Sequence, residues 1–276
     1  MRKVANNGSR FVFEARFLNM RKWSTEIILA SIVNPVFYLL AIGAGVGSLI
    51  NKNSGGVDGV SYLVFLAPAL LANAAIQGSM DETIFPTLEG FMWHKTFYGM
   101  NSTPLGGRQI ALGVYQAAML RNLFTVLFYF IVMQIFGVAK SPHSWLAIPT
   151  GILAGASFSA VMLALAGNAK KEDNFFTFVG RFVITPMFFL SGTFFPLSSM
   201  PIYLQWFGWL SPVWHATDLG RFLTYGSDVS ITLVIIHVLY LLLLTFAGIF
   251  AAIKVFERRD RKSTRLNSSH SSVSRM

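Results

Sequence analysis

Ile27–Ile50, IILASIVNPVFYLLAIGAGVGSLI, runs without one charged side chain. The hydrocarbon core of a bilayer is about 30 Å thick and takes about 20 apolar residues of helix to cross. This stretch is long enough. It carries Asn34-Pro35 and then Gly43, Gly45 and Gly47. Proline is tolerated in a spanning helix because neighbouring helices re-satisfy the freed carbonyl. The glycines allow close helix contact. A basic, polar lead precedes the run, and the run exceeds the roughly 7–15 apolar residues of a signal-peptide core. It reads as a permanent first span.

The same pattern repeats along the chain. Val60–Met80 is a second uncharged run, with Asn73 and Gln77 inside it. The third covers about Ile110 to Phe136 and holds Arg121 and Asn122; the fourth is Trp145–Gly167. The fifth covers about Phe175 to Phe195, with Arg181 near its start. The sixth, Val229–Ile253, is the most hydrophobic, and His237 is its only ionisable group. Asp81–Arg108 mixes acids, bases, prolines and aromatics and cannot cross lipid. Pro196–Tyr225 is apolar, but Pro196, Pro201 and Pro212 cut it into pieces too short to span. Its Tyr203, Trp206, Trp209 and Trp214 suit a membrane-interface belt. The pieces read as short helices on the membrane surface or dipping into it. The chain is thus expected to be an all-α polytopic membrane protein of six transmembrane helices.

Composition agrees. Hydrophobic residues make up 54% of the 276 residues and charged ones 12%, whereas soluble domains run near a quarter charged. The mean hydropathy is +0.55. A soluble fold of this length could not hide so much apolar surface. The net charge of +10 would suggest nucleic acid on a soluble protein. Here the charges lie at the ends and in short loops, so they read as topology signals and no nucleic-acid partner is expected. Cysteine is absent, which excludes disulfides, thiolate metal sites and a cysteine nucleophile.

Lysine and arginine set the orientation. Arg2, Lys3, Arg10, Arg16, Arg21 and Lys22 precede the first span; Lys95 and Arg108, then Lys170 and Lys171, lie in alternate connections; Lys254, Arg258, Arg259 and Arg261 follow the last span. The opposite connections hold only Lys52, Lys140 and Arg221. With six spans both termini fall on the richer side, so both are expected in the cytoplasm. Residues 1–26 read as a cytoplasmic interfacial helix: Phe13, Phe17 and Met20 share a face, Arg10 and Glu14 are spaced to pair, and Trp23 anchors the end. The membrane domain then covers 27–261. Residues 262–276 are polar and Ser-rich, resemble translated vector read-through, and are set aside as a disordered, non-native tail.

No engine is visible. A phosphate-cradling loop needs Gly-x4-Gly-Lys-Ser/Thr. The nearest string, Glu89-Gly90-Phe91-Met92-Trp93-His94-Lys95-Thr96, has Glu and His where both glycines must stand. His94, His143, His215, His237 and His270 form no metal-ligand pair, so no metal, no catalytic set and no cofactor bound by this chain are expected. Arg121 and Arg181 read as side chains that snorkel to the cytoplasmic face. His237 reads as a packing or hydrogen-bonding group between helices. The amides Asn34, Asn73, Gln77 and Asn122 either join helices or line a polar path. Pro86 can open a helix at its first turn. Thr87–Met100 then carries polar and aromatic groups on most sides, suiting either a partner's groove or a solvated interface.

These pieces, in this order, resemble the ABC-2 type permeases, the membrane subunits of bacterial ABC exporters. Leu190-Ser191-Gly192-Thr193-Phe194-Phe195-Pro196, then Pro212, His215-Ala216 and Leu219-Gly220-Arg221, are similar to the family's signature before its last helix. Asn34-Pro35 with the following glycines matches its first span. Trp93-His94-Lys95-Thr96-Phe97 and Ser102-Thr103-Pro104-Leu105 resemble the loop of the nodulation-factor and drug-exporter branch. The resemblance implies that Glu89, Trp93, Lys95 and Thr96 contact a separate ATP-binding subunit that holds ATP and Mg. It implies that Pro196, Pro201, Pro212 and Arg221 belong to short re-entrant helices capping the path. It further implies a second permease copy, as homo- or heterodimer, in the bacterial inner membrane, moving a drug-like, lipid-linked or saccharide substrate outward by alternating access. The alternative is an ion-coupled secondary transporter, which would want intramembrane acids and inverted repeats. A lipid-modifying membrane enzyme would want clustered acids and histidines at one face.

Overall fold

The structure, a computed structural model, describes residues 2–169 and 178–273. Helix α1 is Arg2–Lys22, and a one-residue break at Trp23 leads into α2, Ser24–Ser54. Pro35 lies inside α2. The turns just beyond it widen to π-helical form over Leu39–Val46, where an extra residue is fitted into the backbone ladder. Gly43 lies in that stretch, and the side chain of Leu63 fills the place a Cβ would take. Helix α3 is Tyr62–Trp93, α4 is Thr96–Asn101, α5 is Gly107–Ile135 and α6 is Ser144–Asn168. Then come α7, Val179–Leu190, and two short helices, α8 (Ile202–Leu210) and α9 (Pro212–Tyr225). The last helix, α10, is Ile231–Val273. No strand occurs among the described residues beyond an isolated bridge between Val57 and Val60.

Five helices, α2, α3, α5, α6 and α10, are long and apolar enough to cross a membrane. The sixth apolar helix, α7, is shorter, and the first residues of the run expected from Phe175 lie outside the described residues, as do Lys170 and Lys171. Helices α3 and α6 form the middle of the bundle: 78% and 67% of their most apolar windows are buried, against 24% for α2 and 22% for α10. The outer two therefore present apolar faces such as Phe37, Leu49, Leu243 and Phe246 outward. Such faces are stable only against lipid or another apolar partner.

Three differences from the sequence reading bear on function. Helix α3 does not stop at Met80; it continues through Asp81, Glu82 and Pro86 to Trp93. Pro86 therefore lies within a helix instead of opening one, and the separate helix of this segment shrinks to α4. Helix α1 does more than lie on a surface: Val12 is 1% exposed and packs where Gly113 of α5 lacks a Cβ. The Phe13 and Phe17 rings stack at 6.3 Å, but no ion pair between Arg10 and Glu14 occurs among the described residues. Helix α10 runs unbroken past Arg261 to Val273, where the sequence suggests a disordered tail.

Candidate functional site

The end of the bundle that holds both chain termini is built around a charge network. Glu82 on α3, with a side chain 7% exposed, lies between two arginines. Arg16 of α1 reaches its Oε1 at 3.0 Å, and Arg121 of α5 reaches its Oε2 at 3.5 Å. Arg16 also meets Glu89 at 3.5 Å, and Arg121 meets Asp81 at 3.2 Å. Two arginines thus neutralise carboxylates that would otherwise be too costly to bury. This explains how α3 carries Asp81 and Glu82 without ending. Arg121, read as snorkelling, is instead an interhelical clamp.

Glu89 also takes the Nδ1 of His94 at 3.1 Å. Immediately beyond, Lys95 has φ = 54°, a left-handed conformation that non-glycine residues rarely adopt. The turn reverses the chain into α4 and leaves Trp93, Lys95 and Thr96 exposed. Beneath it, the Phe91 ring meets Phe97 at 5.0 Å and Phe256 of α10 at 4.9 Å, with the Arg259 guanidinium 4.5 Å over Phe91. Gly90 leaves room for the Phe97 ring. The structure therefore brings the four loop residues singled out by sequence into one turn, with three facing outward and Glu89 turned inward to the network.

A groove of about 510 Å³ opens at this end, lined by Arg16, Glu26, Asp81, Glu82, Glu89 and Arg121. It shares Ile27, Ala30, Asp81 and Arg121 with a deeper cavity of about 140 Å³ between α2, α3 and α5. Asn34, Asn73, Gln77, Thr125 and Tyr129 line that cavity. Asn73 donates to Ala69 O at 2.8 Å and to Thr193 Oγ1 at 3.3 Å. The Tyr129 hydroxyl is buried with no hydrogen-bond partner among the described residues. Asn122 lies elsewhere: its Nδ2 donates to Ile152 O of α6 at 2.9 Å, and it fills the space left by Gly155. Of the four amides, three meet around one cavity and one joins two helices.

The opposite end is closed by the proline-rich segment. Pro196 leads into a short turn, Leu197–Ser199; Pro201 precedes α8; Pro212 is the first residue of α9. The Ser211 hydroxyl accepts from Val213 N, capping α9. Arg221 of α9 is 3% exposed and donates to three carbonyls: Phe65 O at 3.2 Å, Gly192 O at 2.7 Å and Thr193 O at 3.3 Å. Its guanidinium lies 3.6 Å over the Phe65 ring. It thus ties α9 to α3 and to the loop after α7. Asp58, Trp214, Asp218, Arg221, Tyr225 and Asp228 line a cavity of about 580 Å³ at this end. His237 of α10 is fully buried and bonds both Asp218 and His215.

The sequence profile of the ABC-2 type transporter family matches residues 10–225, a span that takes in the charge network, the polar cavity and Arg221. The chain belongs to the ABC-2 type transporter family. It is similar to nodulation protein J of Bradyrhizobium diazoefficiens, with 31% identity over 90% of this chain and 92% of that protein. Nodulation protein J of Rhizobium leguminosarum bv. viciae is 29% identical over 79% of this chain and 83% of its own length. The inner membrane transport permease YadH of Escherichia coli K12 is 24% identical over 70% and 73% respectively. This ABC-2 permease is therefore a multi-pass integral protein of the bacterial inner membrane and a transport subunit. ABC-2 membrane subunits are not enzymes; the ATPase lies in a separate ATP-binding subunit.

Sequence reading of this ABC-2 chain missed Arg16, Asp81 and Glu82 as one network, because their partners are 39 to 73 positions apart. It also missed Asp218 and His215 as partners of His237. One signal was available: a histidine and an acid spaced i, i+3 in a segment otherwise almost free of charge, preceding a last span that holds one histidine.

Proposed function

We propose that this chain is the membrane half of an ATP-driven exporter, working as one of a pair of permeases, with both termini in the cytoplasm. The observation that carries the proposal is the polar route from the terminal-end groove, past Arg121 and Asp81, into the cavity lined by Asn34, Asn73 and Gln77. The throat between the two spaces is held by the same charge network that anchors Glu89. A partner subunit holding ATP and Mg would press on Trp93, Lys95 and Thr96. Glu89 lies within the same turn and is tethered to Arg16, so displacement of the turn moves α1 relative to α3 and loosens the throat. The path is capped at the other end by the segment containing Pro196, Pro201, Pro212 and Arg221.

The cavity is about 140 Å³, below the roughly 300–1,000 Å³ of ordinary ligand sites. A drug-like, lipid-linked or saccharide substrate therefore requires the bundle to open or the second copy to complete the path. The exposed apolar face of α2 beside the cavity suits that second copy. Its lining of amides and an unpaired tyrosine hydroxyl favours a substrate part rich in hydroxyl or amide groups.

The test is purification in lipid, alone and with the ATP-binding protein encoded beside it. Hydrolysis only in a complex containing both subunits, with substrate moving on ATP addition, is the expected result. A chain that binds no ATP-binding protein, yet moves solute down an ion gradient, would replace this reading with the secondary transporter.

A further inference from the structure

At the end of the bundle opposite to the termini, four groups form one hydrogen-bonded row. Asp218 Oδ2 lies 3.0 Å from His237 Nε2; His237 Nδ1 lies 2.8 Å from His215 Nδ1; His215 Nε2 lies 2.9 Å from the carbonyl of Trp209. The row joins α8, α9 and α10. His237 is fully buried and His215 is 4% exposed. The Tyr240 ring stacks on His215 at 3.9 Å, and Trp214 meets both imidazoles edge-on.

The geometry fixes the proton count. A backbone carbonyl only accepts, so His215 Nε2 carries a proton. One proton, and only one, fits between two ring nitrogens 2.8 Å apart. A third lies between His237 Nε2 and Asp218, whichever of the two holds it. Three protons shared by one carboxylate and two imidazoles give net charge zero. A fourth would set two N–H groups against each other across the Nδ1–Nδ1 contact, and loss of one would set two lone pairs against each other. The row is closed only when neutral.

We propose that Asp218, His237 and His215 are positioning residues forming a clasp that holds α9 on α10, and that uptake of one proton opens it, so that acid favours the open outer gate. This deepens the transport reading, which supplies the meaning of an outer gate. The surroundings reinforce the sign. Arg221, on α9 one turn from Asp218, brings a further positive charge, and Asp58, Asp228 and Tyr225 line the same cavity from the loops and the end of α9. Helix α6, packed against both α9 and α10, carries no ionisable side chain; α8 contributes only the exposed Tyr203; α3 contributes Tyr62 near Arg221. Burial, with the neighbouring His237 adding to it, pushes the His215 imidazole down to about 4 in the closed state. Freed into water it returns to about 6.5. Below about pH 6.5 the separated groups hold one proton more than the three of the closed row, so closure is lost as pH falls from about 6.5 toward 4. The uptake over that window raises the open-to-closed ratio about eightfold between pH 6.5 and pH 5.

The chain has no cysteine, so single introduced thiols report cleanly. Ala216→Cys, at a position 1% exposed on α9, would be labelled by a water-soluble methanethiosulfonate in the chain without its ATPase partner. Exposed Ser198→Cys corrects for thiolate fraction. The corrected rate should rise by about fivefold or more from pH 6.5 to pH 5, and His215→Phe/His237→Phe in the same background should be flat. A flat rate in the histidine-containing chain, or a pH response that survives the double substitution, overturns the clasp. Should the double variant not fold, nitrogen NMR of the otherwise unaltered chain decides. Coupling across a His215–His237 hydrogen bond at neutral pH that vanishes in acid supports the proposal, and its absence at neutral pH defeats it. Failure here leaves the ATPase contact at the other end untouched.

Discussion

The two ends of this bundle solve the same problem in opposite ways. At the terminal end, charges are buried by pairing: Arg16 and Arg121 meet Asp81, Glu82 and Glu89, and the network borders an open groove. At the other end, the hydrogen bonds of Arg221 among the described residues go to backbone carbonyls, and Asp218, His237 and His215 form one hydrogen-bonded row. Paired charges can exchange partners as helices slide, and they respond to force. A caged guanidinium and a row with one proton per contact have one arrangement each. Under the proposed function, the responsive end faces the ATPase and the latched end faces out.

That contrast can be broken from either side. Glu82→Lys leaves two arginines and a lysine together in a buried site. Removing a buried partner costs about 3–5 kcal/mol, so reversal should lower thermal stability in detergent by at least that, or prevent folding. Arg221→Met removes three hydrogen bonds and strands carbonyls that accepted from a charged donor. At about 1–3 kcal/mol for a group left unsatisfied, the expected loss is about 2–3 kcal/mol, smaller than for Glu82→Lys. Asn122→Ala removes one interhelical amide bond and should cost about 0.6–1.7 kcal/mol. Lys95→Glu should shift stability by less than about 0.5 kcal/mol, because the side chain is exposed, yet abolish ATP-driven transport by the complex. A stability loss at Lys95 comparable to that at Glu82 would erase the distinction between contact surface and internal network.

Much of the bundle was legible in the chain. Apolar length located the crossing helices, and Pro196, Pro201 and Pro212 marked the broken segment because proline lacks the N–H a continuing helix needs. What was hidden shares one cause. Asp81 looked like the end of a helix because a lone carboxylate stops a span, and the arginines that neutralise it come from α1 and α5. Pro86 looked like a helix start, but local preference cannot see the packing that carries α3 past it. Among the amides, sequence left two roles open, and the structure separates them by place: Asn122 faces α6, while Asn34, Asn73 and Gln77 surround a cavity. His237 stood out as an isolated ionisable group, but its partners lie on another helix and only the fold brings them within reach.

The central claim is that the Trp93–Thr96 turn is where an ATP-binding subunit pushes. Its most direct test places single cysteines at Lys95 and at Ser198, at opposite ends of a chain with none of its own, and treats the assembled complex in membranes with a short thiol-to-amine cross-linker. Attachment of the ATP-binding subunit at Lys95→Cys and not at Ser198→Cys is the predicted result. Attachment at Ser198→Cys, or at neither position in a complex that still hydrolyses ATP, would contradict the account.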